Sequence, residues 1–150
     1  MAYNEQFMSR AVELAKKAQM ADEVPVGAVL VRNGEIIAEA ANEKECRGNA
    51  LAHAEMLVLE KGSSVTGSWN LNDCELYCTL EPCPMCGGAM INSRIKTLYY
   101  GAHDLRFGCA GSQIDLLDGS VFNHKVTVYG GCMEKQCSAL LTDFFRNKRK

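Results

Sequence analysis

The sequence predicts an α/β fold: a three-layer α/β/α sandwich around a central mixed sheet of about five strands. Three observations carry this. Some stretches place apolar residues at helical spacing, and others are short apolar runs of strand length. The two kinds of stretch alternate along the chain. No repeat, low-complexity tract or Gly/Pro/Ser-rich linker divides the 150 residues. Residues 1–150 therefore read as one domain, and a chain of that length buries roughly 70% of its unfolded surface.

The elements follow in order. Residues 5–19 carry Phe7, Ala11, Leu14, Ala15 and Ala18 at helical spacing, with Arg10, Glu13, Lys16 and Lys17 on the other faces. That is an amphipathic helix for one side of a sheet. After Pro25, residues 26–31 and 35–38 form two apolar runs around Asn33-Gly34. Asn-Gly is the strongest short hairpin signal, because both central residues of a type I′ turn need positive φ. Residues 51–61 predict a mostly buried helix ended by Gly62. Residues 75–79 predict a strand. Residues 83–91 predict an apolar helix with Pro84 in its first turn. Residues 96–100 and 125–129 predict two more strands. A last helix from 133 to about 148 turns Leu140, Leu141, Phe144 and Phe145 to its apolar side.

Composition narrows the function. A formal net charge of −2 and a pI near 5.9 exclude a uniformly basic protein, so a polyanionic partner must meet a local patch. The apolar runs at 27–31 and 87–91 fall far short of the ~20 residues a membrane helix needs. Residues 1–6 hold neither a basic nor an apolar signal region, so a cytoplasmic protein is expected. The eight cysteines fit a disulfide scaffold badly. Their spacing is uneven, only Cys83 and Cys86 form C-x-x-C, and core residues are plentiful. Cys46, Cys74, Cys132 and Cys137 have no partner motif and read as small, partly buried thiols. His103 and His124 read as surface or hydrogen-bonding residues.

The chemistry lies where His53-Ala54-Glu55 meets Pro82-Cys83-Pro84-Met85-Cys86. In isolation, a C-x-x-C at a helix start is a redox pair or half of a structural zinc site. The upstream His53 completes a different set. One imidazole and two thiolates are three protein ligands, which leaves a catalytic zinc one open position. Two helix starts then face the metal, and their positive dipole ends favour thiolates. Glu55 stands too close to His53 to be a comfortable fourth ligand, and instead reaches a bound water. Zinc acidifies that water, Glu55 takes its proton, an electrophilic ring carbon is attacked, and Glu55 returns the proton to a ring nitrogen and the leaving amine. That is hydrolytic deamination. H-x-E followed by P-C-x-x-C is the known signature of zinc-dependent nucleobase deaminases.

The likeness extends nearly end to end. It includes residues 23–29 (Glu-Val-Pro-Val-Gly-Ala-Val), Asn42, 52–55, 76–83, Met85-Cys86, 93–95, 108–112, Asn123-His124 and 140–146. On these residues the chain resembles the bacterial tRNA-specific adenosine deaminases, within the zinc-dependent cytidine/deoxycytidylate deaminase superfamily. The resemblance implies a cytidine-deaminase-like fold, one Zn²⁺ per subunit and a homodimer. It also implies deamination of adenosine to inosine at the wobble position of a tRNA anticodon, with an arginine tRNA as the partner. It assigns Asn42 to the flipped base or its ribose, Ala54 to the same pocket, and Asp104 to the rim near the sugar. Leu51 and Pro84 depart from the family pattern, and neither belongs to the ligand set.

For the RNA, Phe145 of the apolar Phe144-Phe145 pair is a candidate contact, and the cations Arg146, Lys148 and Arg149 are candidates for phosphate. Setting aside the four cations at 146–150 leaves 12 Lys and Arg against 18 acids, a net of −6. So acidic a body must concentrate its phosphate contacts. Two alternatives remain at this point: a deaminase of free guanine, cytosine or a nucleoside, and a non-catalytic RNA-binding module whose zinc is closed by Cys109 or Cys78.

Overall fold

A computed structural model describes residues 3–148. Strands β1 (Gly27–Arg32) and β2 (Glu35–Ala41) form the expected hairpin. Asn33 and Gly34 take φ of 52° and 76°, and Arg32 pairs with Glu35 across them. Both turn residues are left-handed, as type I′ demands. Strands β3 (Cys74–Leu80), β4 (Thr97–Ala102) and β5 (Thr127–Tyr129) complete a sheet of order β2-β1-β3-β4-β5. β1 is antiparallel to β2 and to β3, while β3, β4 and β5 run parallel, so the sheet is mixed.

Helices α1 (Glu5–Met20), α2 (Lys44–Arg47), α3 (Ala54–Thr66), α4 (Pro84–Asn92) and α5 (Glu134–Lys148) lie around it. Met8, Ala11, Val12 and Leu14 of α1 and Cys137 of α5 pack with Val29, Val31, Tyr77 and Tyr99 on one face. Leu57, Val58 and Leu59 of α3 and Cys86, Met90 and Ile91 of α4 pack with Ala28, Leu30, Leu76, Cys78 and Leu98 on the other. Side chains alternate between faces along a strand. With helices on both faces, β1 has no solvent side, which is why its sequence is an unbroken apolar run. No helix among the described residues is long and apolar enough to cross a membrane.

Three points depart from expectation. The helix predicted to stop at Gly62 runs on to Thr66, where Gly67 at φ 70° caps it. Gly62 is a packing residue: a Cβ there would lie 2.3 Å from Leu30 Cδ2. The one-turn helix α2 was not foreseen. It has no apolar pattern, and the buried Glu23 carboxylate accepts from the backbone N–H of Glu45 (2.9 Å) and Cys46 (2.7 Å). Cys74, Cys132 and Cys137 are buried thiols, but Cys46 is exposed beside this turn.

Candidate functional site

The strand directions bring the ends of β2, β3 and β4 and the start of β1 to one edge of the sheet. A cavity of about 690 Å³ opens there. Val24 and Val26 line it before β1, Asn42 and Lys44 after β2, Leu80, Glu81 and Cys83 after β3, and residues 103–107 after β4. The carboxyl ends of parallel strands are where open α/β sheets hold ligands.

His53 occupies the N-cap position of α3 and Cys83 that of α4, with Cys86 one turn further on. His53 Nδ1 lies 3.6 Å from Cys83 Sγ and 3.5 Å from Cys86 Sγ. A tetrahedral zinc at about 2.3 Å from sulfur and about 2.0–2.1 Å from nitrogen would separate such ligand atoms by about 3.6 Å. The three side chains therefore fit a zinc ion as they stand. The Cys86 thiol donates to Cys83 and, together with His53, outweighs burial, so the Cys83 pKa falls to about 4. The same contact and burial push Cys86 up. The pair thus holds one charge and one proton, and a metal taking both sulfurs displaces that proton.

Glu55 is buried in the second position of α3, at the base of the cavity. Burial is the main cause that raises its pKa to about 7, the range suited to moving protons at neutral pH. Among the described residues His53, Cys83 and Cys86 are the only group of three or more potential ligands whose ligand atoms all lie within 4.8 Å of one another. Cys109 Sγ donates to the Cys83 carbonyl (3.3 Å) and Cys78 Sγ to that of Leu80 (3.1 Å). Burial raises both thiols, Cys109 to about 12. Neither belongs to the metal set, and His53 and Cys83 of that set line the cavity.

The other predicted residues sort as follows. Asn42 and Ala54 are buried in the cavity wall; Asn42 donates to Val24 O and accepts from Lys44 N, both at 3.4 Å. Asp104 lines the rim and also caps its own turn, accepting from the N–H of Arg106 (3.0 Å) and Phe107 (3.1 Å). Phe144 is core, whereas Phe145 is 44% exposed and lines the cavity mouth. Arg146 pairs with Asp143 at 3.8 Å, and Lys148 Nζ with Asp22 at 2.7 Å. Arg149 lies outside the described residues. His124 Nε2 donates to Ile95 O, 2.8 Å away, and His124 is not among the cavity residues.

Apart from Asp104, sequence reasoning missed the wall after β4. His103 lines the cavity with its Nδ1 3.0 Å from Tyr100 Oη, and Leu105, Arg106 and Phe107 stand beside it. Leu105 is 73% and Phe107 59% exposed. The available signal was large apolar residues and a cation in a stretch without periodicity. Glu81, also missed, is buried and accepts from the N–H of Asp104 (3.0 Å), Ala110 (3.0 Å) and Ser112 (3.1 Å) and from the Ser112 hydroxyl. Burial opposes its charge, but the Ser112 and backbone donors win and hold its pKa below the usual value.

Residues 1–102 match the zinc-binding region of the cytidine and deoxycytidylate deaminases. The chain is 47% identical over 150 residues to the tRNA-specific adenosine deaminase of Bacillus subtilis, covering all of this chain and 93% of that protein. A solved structure from work on A-to-I editing by tRNA:A34 deaminases at the wobble position superposes with a TM-score of 0.89 at 37% identity. It covers 92% of this chain and is itself fully covered. Guanine deaminase from Nitrosomonas europaea gives a TM-score of 0.82 at 27% identity, over 96% of this chain and 85% of that one. With the ligand geometry, the full-length identity and the shared fold in agreement, the chain belongs to the zinc-binding cytidine and deoxycytidylate deaminase family, among its tRNA-specific adenosine deaminases.

Proposed function

We propose that residues 1–150 form a single deaminase domain that converts adenosine to inosine at the wobble position of a tRNA anticodon, that of an arginine tRNA. The observation that carries this reading is a three-ligand cluster that shares a cavity with the buried Glu55, in a chain so similar to a tRNA-specific deaminase along its whole length. His53, Cys83 and Cys86 would hold one zinc per subunit, which would supply the Lewis acidity that makes water reactive near neutral pH.

The chain's own groups do the rest. Glu55 carries one proton of the attacking water to the ring nitrogen, and the second, from the hydroxyl then on the ring carbon, to the amine, which leaves as ammonia as the C=O forms. Asn42 and Ala54 hold the base, and Asp104 stands near its sugar. The target leaves its stack to reach a cavity floor, which costs least in an unpaired anticodon loop. Phe145 at the mouth offers a face to a neighbouring base. Arg146, Lys148 and Arg149 supply cations for phosphate against a body of net −6.

A homodimer is supported by α4, whose nine residues carry no charge although Pro84 and Asn92 are exposed. A tRNA substrate and reduced metal-binding thiols fit the cytoplasm. The test is inosine formation in an anticodon stem-loop, set against ammonia release from free guanine, cytosine and nucleosides. Activity on the stem-loop alone is expected, with the arginine anticodon preferred among a panel. Activity on free bases alone would move the reading to a free-base deaminase.

A further inference from the structure

The Glu81 carboxylate is buried, and among the described residues no Lys or Arg pairs with it; His103 Nδ1 lies 3.9 Å away. Four donors satisfy the charge instead, and all four come from one segment: the amides of Asp104, Ala110 and Ser112, and the Ser112 hydroxyl. Gly108 lies against the same carboxylate, where a Cβ would come 2.4 Å from Glu81 Oε2. The Cys109 N–H donates to Pro82 O at 2.9 Å, and the Cys109 thiol to Cys83 O at 3.3 Å. Residues 104–112 therefore wrap around the short link between β3 and the first metal cysteine. The front of that segment, Asp104 to Phe107, is the cavity wall.

Resting on the function proposed above, we propose that Glu81 is a positioning residue that fixes the 104–107 wall relative to the Cys83 turn, and so sets how RNA seats over the metal. A carboxylate is the group this task needs. Its two oxygens accept from all four donors, whereas a glutamine must turn an NH₂ toward at least one backbone N–H and leave that amide without an acceptor. Glu81 touches neither the metal set nor the reacting atoms. The groups that move protons and hold zinc sit on α3 and α4, so loosening the wall weakens substrate seating and leaves the chemistry in place.

The test compares wild type, E81Q and S112A. Each is assayed for bound zinc, for stem-loop deamination across RNA concentration, and for amide hydrogen exchange. E81Q is expected to keep its zinc and to raise KM about tenfold, with kcat per zinc within about threefold. Exchange should speed up at Asp104, Ala110 and Ser112, while Leu76, Tyr77 and Cys78 on β3 stay protected. S112A removes the hydroxyl donor alone and should raise KM about two- to threefold. An unchanged KM in both variants overturns the proposal, as does exchange that rises in β3 as much as in the loop. Should E81Q fail to fold, S112A decides by the same criteria. A wild type inactive on the stem-loop would instead refute the functional reading, and the exchange pattern would still report on Glu81.

Discussion

The Cys109 thiol donates to the carbonyl oxygen of Cys83 across 3.3 Å, so it stands behind the ligand-bearing turn rather than beside the metal. A fourth thiolate would close the site and make the zinc structural. A protonated thiol bonded to the ligand's backbone leaves it open. Cys109→Ser should therefore keep the zinc content of the wild type, measured by elemental analysis, with at most a modest loss of stability. Cys83→Ser and Cys86→Ser should lose zinc and activity together.

Phe145 is 44% exposed at the cavity mouth, while its neighbour Phe144 is 8% exposed in the core. Phe145→Ala should leave thermal stability almost unchanged and weaken stem-loop binding by about 1–3 kcal/mol, the usual worth of a base stacked on an aromatic ring. Phe144→Ala should do the reverse, with unfolding easier by about 3 kcal/mol or more. Denaturant titration and RNA-binding isotherms separate the two.

The cations of α5 also divide. Lys148 Nζ is 2.7 Å from Asp22 and lies 5.6 Å from the centre of the Phe144 ring. Among the described residues Arg146 has only an exposed pairing with Asp143, one helical turn away. Arg146→Ala should lower RNA affinity and cut the slope of log K against log salt by about 0.7–0.9. Lys148→Ala should change that slope less and cost under about 1 kcal/mol of stability, as an exposed ion pair does.

Gly62 sets packing against propensity. Helix propensity alone favours Gly62→Ala by about 1 kcal/mol. The new Cβ, however, would lie 2.3 Å from a Leu30 side chain that is fully buried. Overpacking of this kind costs about 1–3 kcal/mol. A net destabilisation in chemical unfolding is expected, and a stabilised variant would mean that α3 does not press on β1 as described.

These cases also mark what the sequence made legible. His53, Glu55, Cys83 and Cys86 could be read because metal chemistry fixes residue type and spacing at two helix starts. The strands were legible from apolar runs, and the hairpin from Asn33-Gly34. The misses share a cause: the controlling partner is distant in sequence. Gly62 looked like a helix stop because Leu30, 32 residues away, is what it accommodates. α2 is held by Glu23, and the 104–112 wall by Glu81, through single carboxylates that leave no periodic signature.

The central claim is that Glu55 moves the protons at a zinc it does not hold. Glu55→Gln, with zinc and inosine formation measured on the same sample, tests it directly. The variant should retain wild-type zinc and lose about 10²–10⁴-fold in turnover of the anticodon stem-loop. Turnover within a few-fold of wild type, or zinc lost along with activity, would contradict it.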